Sequence, residues 1–223
     1  VAYQQDLHFR QWFKVVEKMG YDWAKDLEHV AFGMVSYEGR ALSTREGYVV
    51  YLDELLTRAV EKAREIIEEK SPNLADKDKV ARQVGIGAVV FFDLFNNRIK
   101  DIDFRWERVL NFDGETGPYV QYTHARCCSV LAKAGAALDN AEAQEVVRSL
   151  ERFPELVREA CQRNEPSLLT RFTVELASNF NRYYYENRIL TEDAAASAAR
   201  VNLTAATASC LRTALGLIGV EAP

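Results

Sequence analysis

The stretch from Asn111 to Gly135, NFDGETGPYVQYTHARCCSVLAKAG, decides how the rest of the chain is arranged. Gly117 followed by Pro118 predicts the start of a helix, because a proline at the first helical position gives up no hydrogen bond and has its φ already fixed. At the helical period the stretch separates into two faces. The first face has the composition of a core: Val120, His124, Cys127, Leu131, Ala134 and Leu138. We therefore predict an organising helix that begins at Pro118 and packs on that side.

The second face of this helix carries aromatic and cationic side chains and no aliphatic ones. Its members are Tyr119, Tyr122, Arg126, Ser129 and Lys133. Aromatic rings stack on unpaired bases, and guanidinium and ammonium groups neutralise phosphates. The face is therefore typical of a surface that binds single-stranded nucleic acid. The alternative is that the tyrosines pack beneath neighbouring helices and the charges are solvated.

Two further features are candidates for the same surface. Gln121 lies off both faces, where it could read the edge of a base or merely cap a contact. Tyr183, Tyr184 and Tyr185 follow one another on a predicted helix, and at about 100° per residue at most one or two of them can be buried. Tyr184 or Tyr185 is therefore a candidate to extend the aromatic surface.

Composition excludes several classes of protein. Of the 223 residues 48% are hydrophobic, which is enough for a buried core. No apolar run approaches the roughly 20 residues that cross a bilayer, and the N-terminus lacks the order of a signal peptide. We therefore expect a cytoplasmic protein with no membrane partner, and a mitochondrial source stays open. The net charge of −5 argues against a uniformly basic surface, so any RNA contact must be a local patch.

The four cysteines do not form a metal-binding pattern. Cys127, Cys128, Cys161 and Cys210 lack the spacing of zinc ligands, and the adjacent pair points about 100° apart on a helix. We predict reduced thiols and no metal site.

Residues 1–73 are predicted to mix α and β structure. Apolar residues recur at helical intervals from Leu7 to Met19, and Gly20 supplies a left-handed stop. The short apolar run from Val30 to Val35 predicts a fully buried strand. A polar loop at 40–47 follows, and an amphipathic helix then runs from Leu52 until Pro72 interrupts it, which places our domain boundary between residues 73 and 74.

Residues 74–223 are predicted to be helical almost throughout. Gly85 and Gly87 interrupt the apolar face of one helix and indicate close packing against a neighbour. Pro154 and Pro166 are each predicted to lie in the first turn of a helix. The next apolar periods run from Leu169 to Tyr183 and from Leu203 to Leu217. The fold class is therefore mainly α.

Several motifs resemble one family in order. The segment 113–126, DGETGPYVQYTHAR, closely resembles the signature that opens the anticodon-binding domain of arginyl-tRNA synthetases. The motifs QQDLH at 4–8, DLEHVAFGMV at 26–35, LSTR at 42–45 and LGLIGV at 215–220 follow that family's order. The resemblance covers nearly the whole chain. It implies a remnant of an α/β, Rossmann-like class I catalytic domain at 1–73, followed by an all-α anticodon-binding bundle at 74–223.

The resemblance also implies roles in catalysis. Ser43, Thr44 and Arg45 match the loop that closes over the phosphates of ATP, where donors stabilise charge on the leaving pyrophosphate. Relatives commonly carry a cation after this arginine, whereas Glu46 stands here, and a carboxylate beside pyrophosphate is unfavourable.

Two residues near the start of the chain match substrate positions of the family. Gln5 matches a residue that contacts the substrate arginine, and His8 a position near the nucleotide. The alternatives are an ordinary surface loop at 40–47, an exposed helix start at Gln5 and a buried imidazole at His8.

One expected part of the family's active site is missing. The His-Ile-Gly-His type of signature that binds ATP does not occur in this sequence. We therefore expect a C-terminal fragment that does not aminoacylate by itself and holds no bound cofactor. In the intact enzyme, ATP with Mg²⁺ and arginine would form arginyl adenylate, and arginine would pass to tRNA(Arg). We expect a monomer. The alternative is a non-catalytic helical module, derived from a synthetase, that binds RNA or protein and has Tyr119 and Tyr122 buried.

Overall fold

The computed structural model describes residues 1–43, 46–133 and 144–223. The helices described are α1 (Asp6–Lys18), α2 (Leu52–Lys70), α3 (Lys77–Phe95), α4 (Trp106–Val109), α5 (Gly117–Leu131), α6 (Gln144–Gln162), α7 (Ser167–Glu186) and α8 (Ala194–Leu217). The strands are β1 (Val35–Tyr37), β2 (Arg40–Ala41) and β3 (Ile102–Phe104). The prediction of a mainly α protein with a small α/β part before a helical bundle is confirmed.

The main core lies where α3, α5, α6, α7 and α8 pack together. Fully buried members include Phe91, Val120, Leu176, Phe180 and Leu211. The apolar period predicted for α7 is confirmed, since all five of its predicted core residues are buried: Leu169, Phe172, Leu176, Phe180 and Tyr183. The bundle therefore buries its own large apolar side chains.

Helix α5 begins where the sequence predicts. Thr116 caps its N-terminus by accepting a hydrogen bond from the backbone N–H of Tyr119 at 3.3 Å, and Pro118 lies in the first turn. Val120, His124 and Cys127 on the predicted core face are buried, and Leu131 is half-buried. Ala134 and Leu138 lie outside the described residues. One face of α5 is therefore fixed against the bundle, and the opposite face is left for other contacts.

The prediction for Pro154 is wrong, because α6 runs through this residue instead of starting at it. An apolar stripe that includes Val146, Phe153 and Ala160 packs against the bundle, and the Phe153 ring stacks on Phe172 with centroids 5.3 Å apart. Pro154 itself is exposed, so its ring lies outside the packed face of the helix. The free energy gained by burying the apolar stripe therefore outweighs the cost of a proline inside the helix. Pro166, by contrast, immediately precedes α7.

The small sheet has the order β2-β1-β3, with β1 antiparallel to β2 and parallel to β3. The prediction of a buried strand from Val30 to Val35 is wrong. Strand β1 starts only at Val35, and Val30, Phe32 and Met34 are 41%, 51% and 42% exposed. The physical reason is that an apolar run is buried only if a second layer covers it, and the described residues provide no such layer here.

Helices α2 and α3 pack along each other, and Gly85 explains how closely. A Cβ at this position would lie 2.7 Å from the backbone carbonyl atoms of Ala59, which is itself fully buried. At Gly87 a Cβ would lie 2.8 Å from Nε2 of Gln121. The close packing that the two glycines predict is confirmed.

The domain boundary between residues 73 and 74 stays a prediction. Strand β1 lies before this boundary and pairs with β3, which lies after it.

The N-terminal helix α1 ends as predicted, with Gly20 at φ +83°. Most of its large apolar side chains are nevertheless exposed, including Leu7 at 62% and Met19 at 64%. Among the residues that the structure describes, no helix combines the length and the apolar content needed to span a bilayer.

Candidate nucleic-acid interface

Helices α5 and α7 together present three tyrosine rings around one arginine. Tyr122 and Arg126 lie one turn apart on α5, and Tyr184 and Tyr185 lie at the end of α7. The guanidinium carbon of Arg126 is 5.0 Å from the ring centroid of Tyr122, 5.2 Å from that of Tyr184 and 5.6 Å from that of Tyr185. Each distance is within the range of a cation–π contact. We call these four residues the tyrosine–arginine platform.

The platform is open to solvent. Tyr122 is 53% exposed and Tyr185 is 76% exposed, whereas Tyr184 is half-buried and packs against the core. The Tyr184 and Tyr185 rings meet edge to face, with centroids 6.2 Å apart. Tyr183 is buried, so two members of the tyrosine triplet face the candidate site and one does not. Exposed ring faces of this kind can stack on bases.

Tyr119 differs from Tyr122 although both were predicted on one face. Its ring is half-buried against the core, and its hydroxyl accepts a hydrogen bond from Nδ2 of Asn181 at 3.0 Å. Asn181 also accepts a hydrogen bond from Nη1 of Arg126 at 2.6 Å. Tyr119 therefore joins the site through a hydrogen bond behind the platform, and its predicted role in stacking stays a prediction.

The Arg126 guanidinium keeps its charge in this environment. Partial burial alone would lower the pKa of Arg126, but the contacts with Tyr122 and Tyr185 outweigh it, so the pKa is raised above its usual value. The platform therefore offers a permanent positive charge between polarisable ring faces.

A cleft of about 470 Å³ adjoins the platform between the end of α5 and the segment after α7. It is lined by Arg126, Ser129, Val130, Lys133, Tyr184, Asn187, Arg188, Ile189 and Leu190. Its volume is within the roughly 300–1,000 Å³ that small ligands occupy in proteins. Three of the lining residues are cations in a protein of net charge −5. The cleft and the platform thus form the kind of local basic patch that an RNA partner would require.

The sequence did not predict Arg188 and Asn181 as members of this site. Arg188 follows shortly after the tyrosine triplet at the end of α7. A cation so close to a run of aromatic residues is a sequence signal from which its place in the site could be predicted. Asn181 carries no such signal, because its contacts with α5 depend on how the two helices pack.

Gln121 does not read a base. It is 1% exposed, and its Nε2 donates to the backbone carbonyls of Gln83 at 3.1 Å and Glu221 at 2.7 Å. Of the two alternatives for Gln121, the one in which it reads a base edge is wrong, because packing against α3 has buried its amide. The amide instead makes contacts with backbone carbonyls.

His124 is a core residue, as predicted, at 1% exposure. The pKa of His124 is lowered, mainly because the imidazole is buried. The hydrogen bond with the carbonyl of Pro223 acts in the opposite direction and raises the pKa, whereas the positive charge of Arg212 lowers it further. The four cysteines are free thiols, and burial raises the pKa of Cys127 and of Cys210 to about 12. His124 and Cys127 are therefore part of the bundle core, whereas Cys128 and Cys210 are half-buried and Cys161 is exposed.

The predicted nucleotide loop begins at a tight backbone bridge. Ser43 and Tyr48 exchange backbone hydrogen bonds of 2.8 and 3.0 Å, and the hydroxyl of Ser43 accepts from the backbone N–H of Glu46 at 3.3 Å. Gly47 has φ +70°, a conformation that glycine adopts without strain. Thr44 and Arg45 lie outside the described residues.

Gln5 and His8 lie at the start of α1, and both side chains are exposed. The alternative of a buried imidazole at His8 is therefore wrong. In the described part of the chain, no hydrogen bond or ring contact joins Gln5, His8 and Ser43 to one another. In the same residues, no three His, Cys, Asp or Glu side chains come together as a metal site would require.

Comparison with known proteins gives matches along nearly the whole chain. The family of class I tRNA synthetases (R), catalytic domain, matches residues 1–106, and the DALR anticodon binding domain matches residues 120–223. Arginine–tRNA ligases of Alkaliphilus metalliredigens and Clostridioides difficile are 52% and 51% identical over 99% and 100% of this chain. The chain spans 41% of the length of each of these two relatives.

Two solved structures share the fold. The Thermus thermophilus arginyl-tRNA synthetase matches with a TM-score of 0.84 and 37% identity, over 90% of this chain and 36% of that one. The Plasmodium falciparum enzyme matches with a TM-score of 0.82 over 100% of this chain and 40% of that one, and its 23% identity bears on the fold alone.

Proposed function

Because the chain belongs to the arginyl-tRNA synthetase family, we propose that it is part of an arginine–tRNA ligase whose helical bundle holds the anticodon of tRNA(Arg). The observation that carries the proposal is the tyrosine–arginine platform beside a cationic cleft. Unpaired anticodon bases would stack on Tyr122 and Tyr185, and Arg126, Lys133 and Arg188 would meet the phosphates. Tyr119 would support the platform from behind through its hydroxyl, and the exposed part of its half-buried ring would stack on a further base.

The exposure of Tyr122 separates this proposal from its rival. A non-catalytic module that binds through some other surface was expected to have Tyr119 and Tyr122 buried. Tyr122 is 53% exposed and contacts a charged arginine, which favours a role in binding.

For the intact enzyme we propose a two-step aminoacylation of tRNA(Arg). The carboxylate of arginine attacks the α-phosphorus of ATP, and pyrophosphate leaves to give arginyl adenylate. A terminal ribose hydroxyl of tRNA(Arg) then attacks the arginyl carbonyl carbon, and AMP leaves. Ser43, Thr44 and Arg45 would donate to the leaving pyrophosphate as the loop closes, and Gln5 and His8 would contact arginine and the nucleotide. Mg²⁺ would enter together with ATP.

The exposed apolar residues of the N-terminal part fit this proposal. Phe32 and Met34 lead into β1 and the nucleotide loop, and their exposure leaves an apolar surface beside it. We propose that the remaining part of the catalytic domain covers this surface in the intact enzyme. We also propose that the enzyme acts as a monomer in the cytoplasm.

RNA binding by this chain tests the proposal. The anticodon stem–loop of an arginine tRNA is titrated against the wild-type chain and Tyr122→Ala, with fluorescence anisotropy as the measurement. Since a base–aromatic stack contributes about 1–3 kcal/mol, we expect Tyr122→Ala to weaken binding about 5- to 150-fold.

Tyr21→Ala is the matched control, because Tyr21 is similarly exposed, at 48%, but lies before the bundle. The control should bind like the wild type. Equal losses in the two variants would contradict the proposal.

A further inference from the structure

Asn181 on α7 uses its whole side-chain amide to hold α5. Its Oδ1 accepts from Nη1 of Arg126 at 2.6 Å, and its Nδ2 donates to the Tyr119 hydroxyl at 3.0 Å and to Oγ1 of Thr123 at 2.9 Å. An asparagine side chain has two N–H donors and one carbonyl acceptor, so both donors are used and the acceptor faces a cation. Asn181 is 9% exposed, and the amide is therefore fixed in one orientation.

The neutral charge of Asn181 matters as much as its position. A carboxylate at this place would form an ion pair with Arg126 and cancel the charge that an RNA phosphate would meet. An amide oxygen orients the guanidinium and leaves the positive charge in place. The rings of Tyr122, Tyr184 and Tyr185 then surround a cation that is already held.

We propose that Asn181 is the positioning residue of the tyrosine–arginine platform, which fixes Arg126 before RNA binds. The inference rests on the proposed function. A long arginine side chain loses conformational freedom when it binds a ligand, and an arginine that is held in advance loses less. Thr123 and the hydroxyl of Tyr119 hold Asn181 in turn, since they accept its two N–H groups.

A double-mutant cycle on the 223-residue chain tests this role. Affinity for the anticodon stem–loop is measured for the wild type, Asn181→Ala, Arg126→Ala and the double variant. Because hydrogen bonds to charged groups contribute about 1.5–3 kcal/mol, we expect Asn181→Ala to weaken binding at least about tenfold. In the Arg126→Ala background the same change should have no further effect, because Asn181 acts through Arg126.

Asn179→Ala is the control, since it removes the same side chain from the same helix. Asn179 donates to the hydroxyl of Ser149 on α6 at 3.2 Å, and none of the described hydrogen bonds joins it to the platform. This variant should keep wild-type RNA affinity, and thermal melting of every variant separates binding from folding.

Thr123→Val provides the second test, in case Asn181→Ala does not fold. It replaces a fully buried threonine by a residue of nearly the same shape and removes one acceptor of the Asn181 amide. We expect a loss of about fivefold in RNA affinity, from the roughly 1 kcal/mol of an ordinary hydrogen bond, and no loss in the Arg126→Ala background.

Losses that multiply in the double variants would overturn the role of Asn181 while leaving the proposed function standing. Failure of the wild-type chain to bind the RNA would overturn the proposed function, and this inference with it.

Discussion

Large apolar side chains are buried in the helical bundle, whereas many of them are exposed in the N-terminal segment. In the bundle, Leu176 and Phe180 are fully buried, whereas Leu7 and Phe32 in the segment before α2 are 62% and 51% exposed. Both regions have clear apolar periods in the sequence. The period of the apolar residues therefore predicts the type of secondary structure. Whether those residues are buried depends on the surfaces that the rest of the chain packs against them. The bundle supplies its own, and we infer that the N-terminal segment relies on surfaces outside the described residues.

The largest expected effect comes from truncating one leucine in each region. Leu176→Ala removes a fully buried side chain and should lower the free energy of unfolding by about 2–5 kcal/mol. Leu7→Ala, at a residue that is 62% exposed, should change it by less than about 0.5 kcal/mol. Urea unfolding followed by circular dichroism measures both. Similar losses in the two variants would break the comparison.

Substitution of two glycines tests how closely α2, which follows the N-terminal segment, packs against α3 of the bundle. Gly85→Ala would place a Cβ 2.7 Å from backbone atoms of Ala59, so α2 and α3 must move apart, and we expect a loss of about 1–3 kcal/mol. Gly216→Ala in α8 meets no atom within 4 Å and should stabilise the protein by about 0.5–1 kcal/mol.

The measurement for this pair is the thermal midpoint of each variant. The opposite signs distinguish steric contact from helix propensity. If Gly85→Ala also raised the midpoint, the close contact between α2 and α3 would be disproved.

The smallest expected effect concerns the sheet, which ties the N-terminal segment to residues after α3. Asp103 accepts hydrogen bonds from Nε of Arg105 at 2.6 Å, from the hydroxyl of Ser36 at 2.8 Å and from the backbone N–H of Gly39 at 2.8 Å. With the bond from Arg105 as the largest cause, these contacts lower the pKa of Asp103 from 3.8 to about 2.

Because the pKa of Asp103 is lower in the folded state, its carboxylate stabilises the fold above about pH 4 and stops doing so as the pH falls towards 2. Asp103→Asn should therefore be less stable than the wild type near neutral pH, and the difference should shrink through this window. Unfolding curves recorded at several pH values measure it. A difference that stays constant down to the lowest pH would contradict the assignment.

The sequence predicts much of the bundle and less of the site, for reasons that particular residues make clear. The start of α5 follows from Gly117 and Pro118, and the core face of α7 follows from its apolar period, because both depend on local geometry. Pro154 inside α6 could not be predicted in this way, since the packing of an apolar stripe outweighed a local rule.

The site depends on contacts between distant parts of the chain. Tyr122 and Arg126 were predicted from the period of α5, but Asn181 and Arg188 reach the same place from α7 and the segment after it. Tyr119 and Gln121 were predicted from a helix surface that α7 and α3 then covered. The helical period shows which side chains share a face of a helix. Tertiary packing then determines which of those faces stay exposed to solvent.

Photo-crosslinking shows directly whether an anticodon loop lies on the tyrosine–arginine platform. An anticodon stem–loop of arginine tRNA with thiouridine in its loop is irradiated with the wild-type chain, and the crosslinked peptides are mapped. We expect crosslinks on α5 near Tyr122 and at the end of α7 near Tyr185, and a lower yield with Tyr122→Ala. Crosslinks confined to the residues before α3, with a yield that does not depend on Tyr122, would contradict it.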